Sequence, residues 1–301
     1  MKRFLAIAGA VAMVCLAIVI RAGIDRGGSN TTTPSGPVKI ACITELEAQC
    51  RALSSVSLRV EDAAVTAKAI ATGTADIDGW ITIEPWPAIV NQLAQTKQVG
   101  ASTPIARTEL VIAMVKERAD VLAAKCGGSI GWRCLGDAIG KQWTELGGMP
   151  EWGAVKAGLP PASTASGLVL LGNAASGYFG RTDFATNDFD GDFGIWRSKV
   201  TATAASFDDF ILKFPAAFSA VGATRAVVTT SSGTRAVATI TPAPAASAVI
   251  VLAPVNGGRI GSVAKDVLAR ALNSVGWSTD NLSAPSGLPN AGVLLALSGL
   301  K

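Results

Sequence analysis

The chain has 301 residues, with 26 Lys and Arg against 22 Asp and Glu, and it contains no histidine. The length accommodates two lobes with sizeable cores, and the missing histidine excludes Ser-His-Asp hydrolases, Cys-His proteases, zincins and His-ligated metal centres. Lys2, Arg3, Arg21 and Arg26 stand against Asp25 alone within residues 1–27, so the formal charge of +4 nearly vanishes over the rest and leaves no basic footprint for nucleic acid.

Lys2 and Arg3 precede an uninterrupted apolar stretch over 4–20. That length suits a signal-peptide core or a short spanning helix. Three outcomes are open: an uncleaved anchor, cleaved secretion with Ile20-Arg21-Ala22 as a weak small-x-small match, or a lipoprotein at Cys15, which lacks a small residue just before it. Each of them exports the bulk of the chain, either to the outer face of the cell membrane or into the medium. Residues 28–36 are a Gly/Ser/Thr/Pro linker with no apolar periodicity.

The apolar run 38–43 reads as a buried strand, and Thr44 or Glu45 then opens a helix. A strand is expected at 57–60, an Ala-rich helix at 61–72 with Gly73 as its C-cap, a third strand at 76–81 and a helix at 85–96. This strand-helix rhythm is the signature of a parallel α/β sheet. The β-rich run 105–115 is expected to cross into a second lobe. That lobe holds helices near 135–143, 168–178 and 207–220. Strands at 236–240 and 248–254 then return, followed by helices at 262–275 and 288–297.

Beyond Cys15, the cysteines form two pairs of equal spacing, Cys42 with Cys50 and Cys126 with Cys134. Four cysteines permit three connectivities. Cys42 sits roughly 7 Å down the strand from the corner at about 3.3 Å per residue, and Cys50 roughly 7 Å along the returning helix at about 1.5 Å per residue. The local pairing is therefore favoured over cross-pairing, with buried free thiols as the alternative. A disulfide here implies an oxidising compartment.

Strand ends and helix starts are where ligands collect in an open α/β sheet, because free N–H groups and the helix dipole face outward there. Thr44 and Glu45 at the first corner are candidates, as are Ser163, Thr164, Ser166 and Gly167 ahead of the helix that follows them. The bland reading of these hydroxyls is ordinary N-capping. Asp78 and Trp80, on a strand expected to end on the same side as Thr44, offer a carboxylate and a stacking ring, and Arg107 at the lobe junction offers a partner for an acidic ligand. Asp188, Asp190 and Asp192 alternate as calcium ligands do, but Phe193 stands where the loop needs glycine and Lys199 where it needs Glu, so the run reads as an acidic turn. The stretch 136–141 is one residue short of a P-loop, no G-x-S-x-G exists, and 256–261 lacks the G-x-G-x-x-G spacing. No metal, cofactor or catalytic constellation is expected.

In order and in its loose motifs the chain resembles the type II periplasmic solute-binding proteins, especially extracellular substrate-binding domains of actinobacterial type. The carriers are Lys39-Ile-Ala-Cys-Ile-Thr-Glu45, the stretches 71–80 and 103–114, Ser163-Thr-Ala-Ser-Gly-Leu168, and the tail 268–277. The resemblance implies an α/β fold of two lobes with an interlobe cleft, preceded here by the N-terminal hydrophobic helix. Residues 37–102 with 223–301 would form lobe 1, and 103–222 lobe 2. It implies a binding protein rather than an enzyme, clamping a small polar solute and handing it to a membrane permease. Two rivals stand beside it. One is a cell-surface interaction module that keeps the fold without transport; the other is an enzyme working through carboxylates alone.

Overall fold

The computed structural model describes residues 36–201, 217–231, 236–258, 260–261, 263–283 and 287–301. The expected N-terminal helix lies outside these residues, as does most of the helix expected at 207–220. Among the described residues no helix is long and apolar enough to cross a membrane. Val38–Lys301 forms one compact unit.

Its opening strand β1 (Val38–Ile43) has the parallel strand β2 (Val56–Glu61) on one side and the parallel strand β3 (Gly79–Ile83) on the other. Between them run a 3-10 turn at Thr44–Leu46, the short helix α1 (Glu47–Cys50) and α2 (Ala63–Ala71). Alanines suffice in α2 because Ala63, Thr66, Ala67 and Ile70 put one stripe against the sheet. Every residue of β3 is buried, as expected of a strand covered on both faces. Helix α3 (Trp86–Leu93) follows, with proline in its first turn, where no N–H is needed.

Strand β4 (Thr103–Val115) belongs to two groups of strands. Its first half, Thr103 to Glu109, pairs antiparallel with β8 (Ser247–Pro254), which lies beside β3. Its second half, from Leu110, pairs with β6 (Ala220–Thr224) and β7 (Val237–Ile240), and β6 carries the two-residue strand β5 (Ala157–Gly158). The path is β2-β1-β3-β8-β4-β6-β5 with β7 beside β4. The chain thus crosses between lobes twice, inside β4 and over residues 241–246. The return comes after β7, later than residue 223, because β6 and β7 both pair with the distal half of β4. Arg225 ties the crossings together, donating to Glu109 Oε2 at 2.7 Å and to Thr239 Oγ1 at 2.8 Å, while Thr241 Oγ1 reaches the same carboxylate at 3.2 Å.

The second lobe adds α4 (Lys116–Lys125), α5 (Trp132–Ala138), α6 (Ala165–Phe179), α7 (Gly191–Val200) and α8 (Arg225–Ser231). Helix α5 begins and ends earlier than the span 135–143: the backbone leaves the helical region at Ile139, with ψ 132°, and Gly140 follows at φ +90°. Ala220 opens β6 rather than closing a helix. The aspartate run is a helix start: Asp190 Oδ1 accepts from Phe193 N at 2.7 Å as the cap of α7, and Asp188 Oδ2 accepts from Ala185 N at 2.7 Å. Helices α9 (Val263–Asn273) and α10 (Ala291–Ser298) complete the described fold.

The cysteines pair locally. Cys42 of β1 meets Cys50 at the end of α1 with Cα atoms 6.6 Å apart, and Cys126 meets Cys134 with Cα atoms 5.9 Å apart. Cys42 and Cys50 are fully buried. Replacing both with alanine should lower unfolding free energy by about 2.5 kcal/mol, the chain-entropy value for so short a loop. Denaturant melts of the double variant check this; an unchanged midpoint would mean that packing around the corner already holds it.

Candidate functional site

Because β1, β2 and β3 are parallel, Ile43, Glu61 and Ile83 bring their C-terminal ends to one edge of the sheet. Strand β8 begins at that edge and helix α6 starts opposite it. Contacts across the lobes converge there. Ser166 donates to Glu45 Oε1 through its backbone N–H at 2.9 Å and its hydroxyl at 3.1 Å. Ala64 N–H donates to Ser163 O at 3.0 Å, and the Trp86 indole donates to Ala165 O at 3.2 Å. Beside this clasp lies a cavity of about 140 Å³. Ile43, Glu45, Leu46, Gln49 and Ile83 line it from lobe 1, and Ser166 with Thr224, Ala226, Val227 and Thr230 from lobe 2. Val275 and Trp277, beyond α9, complete the wall.

Of the residues singled out in the sequence, Glu45 and Ser166 meet in this cavity. Thr44 is exposed beside it and donates to Asp62 Oδ1 at 2.8 Å. Ser163 is exposed and gives the clasp only its carbonyl. Thr164 is a helix cap: its Oγ1 accepts from Gly167 N at 3.1 Å and donates to Pro161 O at 2.8 Å. Gly167 spends its N–H on that cap, and a Cβ there would collide with Pro161 O.

Three expectations need correcting. Asp78 precedes β3 instead of ending a strand, and its Oδ2 accepts from Lys39 N at 2.8 Å at the opposite edge of the sheet from Thr44. The strand starts at Gly79 because the apolar run carries on to Ile83, whereas aspartates disfavour strand interiors. Trp80 is fully buried, edge-on to Trp86 with centroids 6.3 Å apart, and forms core rather than a stacking platform. Arg107 does stand at the lobe crossing, but it does not line the cavity; it pairs backbone to backbone with Ser278.

Arg107 shares a sheet face with an unusual row. It registers with Val249, whose carbonyl accepts from Glu84 N at 2.8 Å. Thr82 Oγ1, Glu84 Oε2, Arg107 Nε and Ser247 Oγ are all buried there without a hydrogen-bond partner among the described residues. Burial pushes the Glu84 carboxyl above its ordinary value of 4.5. A carboxyl raised on folding contributes stability that is full below the unfolded value and lost as pH rises through the folded one. Glu84→Gln should therefore stabilise the chain near pH 7 and flatten the decline of stability above about pH 4.5. Melts of both proteins across that range test it, and parallel curves would refute the assignment. Glu109 works the other way: the Arg225 hydrogen bonds hold its carboxyl low, so its contribution fades as pH falls below the ordinary range.

Burial also raises the Glu45 carboxyl, against the lowering pull of the Ser166 N–H and hydroxyl and with the nearby Asp62 charge adding to the rise. The sequence reading missed Gln49, Thr224, Thr230 and Trp277. Trp277 lies in the tail quoted for the family resemblance, but nothing local marks it as facing a cavity.

No protein-family model and no curated protein matches the chain. Solved structures do. The periplasmic binding protein AfuA from Actinobacillus pleuropneumoniae, with exogenous fructose-6-phosphate bound, superposes at TM-score 0.51 and 11% identity over 79% of each chain. The regulatory domain of CcmR from Synechocystis PCC6803, in complex with 2-PG, gives 0.48 and 12% over 82% of this chain and 99% of that one. A full-length OxyR variant from Pseudomonas aeruginosa gives 0.46 and 15% over 88% of this chain and 77% of that one. The likeness to AfuA is one of fold. With the doubly crossed mixed sheet, it defines the chain as a two-lobed, type II periplasmic-binding-protein-like α/β fold.

Proposed function

We propose that this chain is a solute-binding protein of the extracellular, actinobacterial substrate-binding type. It is exported, tethered to the outer face of the membrane through residues 1–27, and clamps a small polar ligand between its lobes without chemical turnover. The observation that supports this most directly is the cavity itself, walled by Glu45 of lobe 1 and Ser166 of lobe 2, where strand ends and a helix start converge. A membrane permease is the natural recipient of such a ligand. A thermal-shift screen of the full chain across oxyanions, amino acids, sugars and amines tests the reading, because a ligand that binds only the native state raises its melting point. No shift from any class, at concentrations where weak ligands register, would refute solute binding.

A second reading draws on the clasp. Glu45, Ala64 and Trp86 all bond to the 163–166 segment, so the chain closes its lobes with its own groups. A cell-surface interaction module that keeps the fold as a rigid body would look the same. It predicts no ligand in the screen and no change of scattering radius on adding any solute.

A further inference from the structure

Glu45 fills the place at the start of α6 where an anion would otherwise sit. Helix starts attract anions through unpaired N–H groups and the positive end of the helix dipole. Here the Ser166 N–H and hydroxyl already point at Glu45 Oε1, and the Gly167 N–H is taken by Thr164. An anionic ligand would have to displace a carboxylate of its own chain, then sit beside it in a partly dehydrated space.

The rest of the cavity offers such a ligand no counter-charge. Among the described residues Glu45 is the single ionisable group in the lining. Its Oε2 lies a long 3.4 Å from Thr44 Oγ1, whose hydroxyl donates to Asp62 at 2.8 Å, so the carboxylate keeps acceptor capacity toward the cavity. Gln49, Thr224 and Thr230 add neutral polar groups, while Leu46, Val275 and Trp277 supply apolar wall. Burying a positive group against an unneutralised carboxylate is favourable where burying a second negative one is costly. The volume, about 140 Å³, matches the roughly 150 Å³ that holds a benzene-sized body in an engineered apolar cavity.

From this we infer that the cleft takes a small primary amine as its ammonium ion, recognised by Glu45, with an alkyl or ring body of about four to six carbons against Trp277 and its neighbours. The inference rests on the solute-binding reading and names its ligand class. Burial raises the Glu45 carboxyl while Asp62 stands nearby, so an ammonium ligand would also relieve an ionised group that the fold disfavours.

The test uses isosteric probes on the full chain: n-butylammonium, 1-butanol and butyrate, with inorganic phosphate as a fourth, each titrated calorimetrically. Butylammonium should bind at least about tenfold more tightly than butyrate or phosphate, with butanol between, because like charges in a desolvated site differ strongly from opposite ones. In Glu45→Gln the preference of ammonium over butanol should disappear; in Glu45→Asp it should persist at weaker affinity. Glu84→Gln removes another half-buried carboxylate that does not line the cavity, and it should keep the preference. Butyrate or phosphate binding as tightly as butylammonium, or an ammonium preference that survives Glu45→Gln, would overturn the inference. Binding of some other solute class in the thermal screen, with none of the amines bound, would overturn it while leaving solute binding intact. If no solute of any class binds, both readings fall together.

Discussion

Trp86→Ala should destabilise the chain by about 3–5 kcal/mol, the range for emptying a fully buried aromatic site. Trp86 has no exposed surface, packs edge-on to Trp80 and anchors the start of α3. Its indole N–H also donates to Ala165 O at 3.2 Å, so the cavity left by alanine would open at the lobe interface. Trp86→Phe separates the two contributions: it keeps most of the ring volume and should cost less than alanine, chiefly the lost hydrogen bond and the unfilled remainder. Denaturant unfolding of both variants reads this directly. Equal losses would mean that the indole bond to Ala165, rather than packing, carries the site.

Gly167→Ala should cost about 3 kcal/mol or more, an overpacking penalty at the upper end because the obstacle is backbone. The added Cβ would meet Pro161 O and Pro160 O, with Thr164 Oγ1 close by. The two carbonyls are backbone and cannot swing aside as a flexible side chain would, and rotating Thr164 away would give up its cap. Relief requires the first turn of α6 to move, which separates Ser166 from Glu45 and undoes the Thr164 cap. The variant should therefore lose stability and, if the cleft binds solute, lose affinity with it. Near-native stability would show that the 160–164 turn repacks at little cost. Gly172 is a useful contrast. There a Cβ would meet the Leu294 side chain and the Pro289 ring, whose side-chain atoms can give way more readily than backbone.

If Glu45 is what closes the cleft, sensitivity to these two positions has a functional meaning. Trp86, Ala64 and Glu45 come from three successive strand-to-helix connections of lobe 1, and all three grip one turn of lobe 2. Among the described residues, the single ionisable group lining that cleft is the acid Glu45.

What the sequence determined by itself is local. The strand at Val38–Ile43, the turn after it and the equal eight-residue spacings of the two cysteine pairs are set by contacts within a few residues, so periodicity and rise per residue are enough to read them. The same holds for the stripe of α2 and the Thr164 cap of α6. Where a local signal was ambiguous, it failed in a consistent way: the aspartates at 76 and 78 share a segment with an apolar run, and only the register of β3 against β1, from Gly79 beside Ile40, shows that they lie at the far edge. The tertiary structure alone decided the rest. Glu45 and Ser166 are 121 residues apart, and Trp86 and Ala165 are 79 apart. No periodicity links such pairs, because it is the two crossings of the chain that bring them together. Trp277 joins the cavity for the same reason, and Trp80 leaves the candidate site because both faces of β3 are covered. The sequence thus supplied the groups that could bind a ligand, while the closing of one lobe on the other determined that Glu45 would meet Ser166 in the cavity between them.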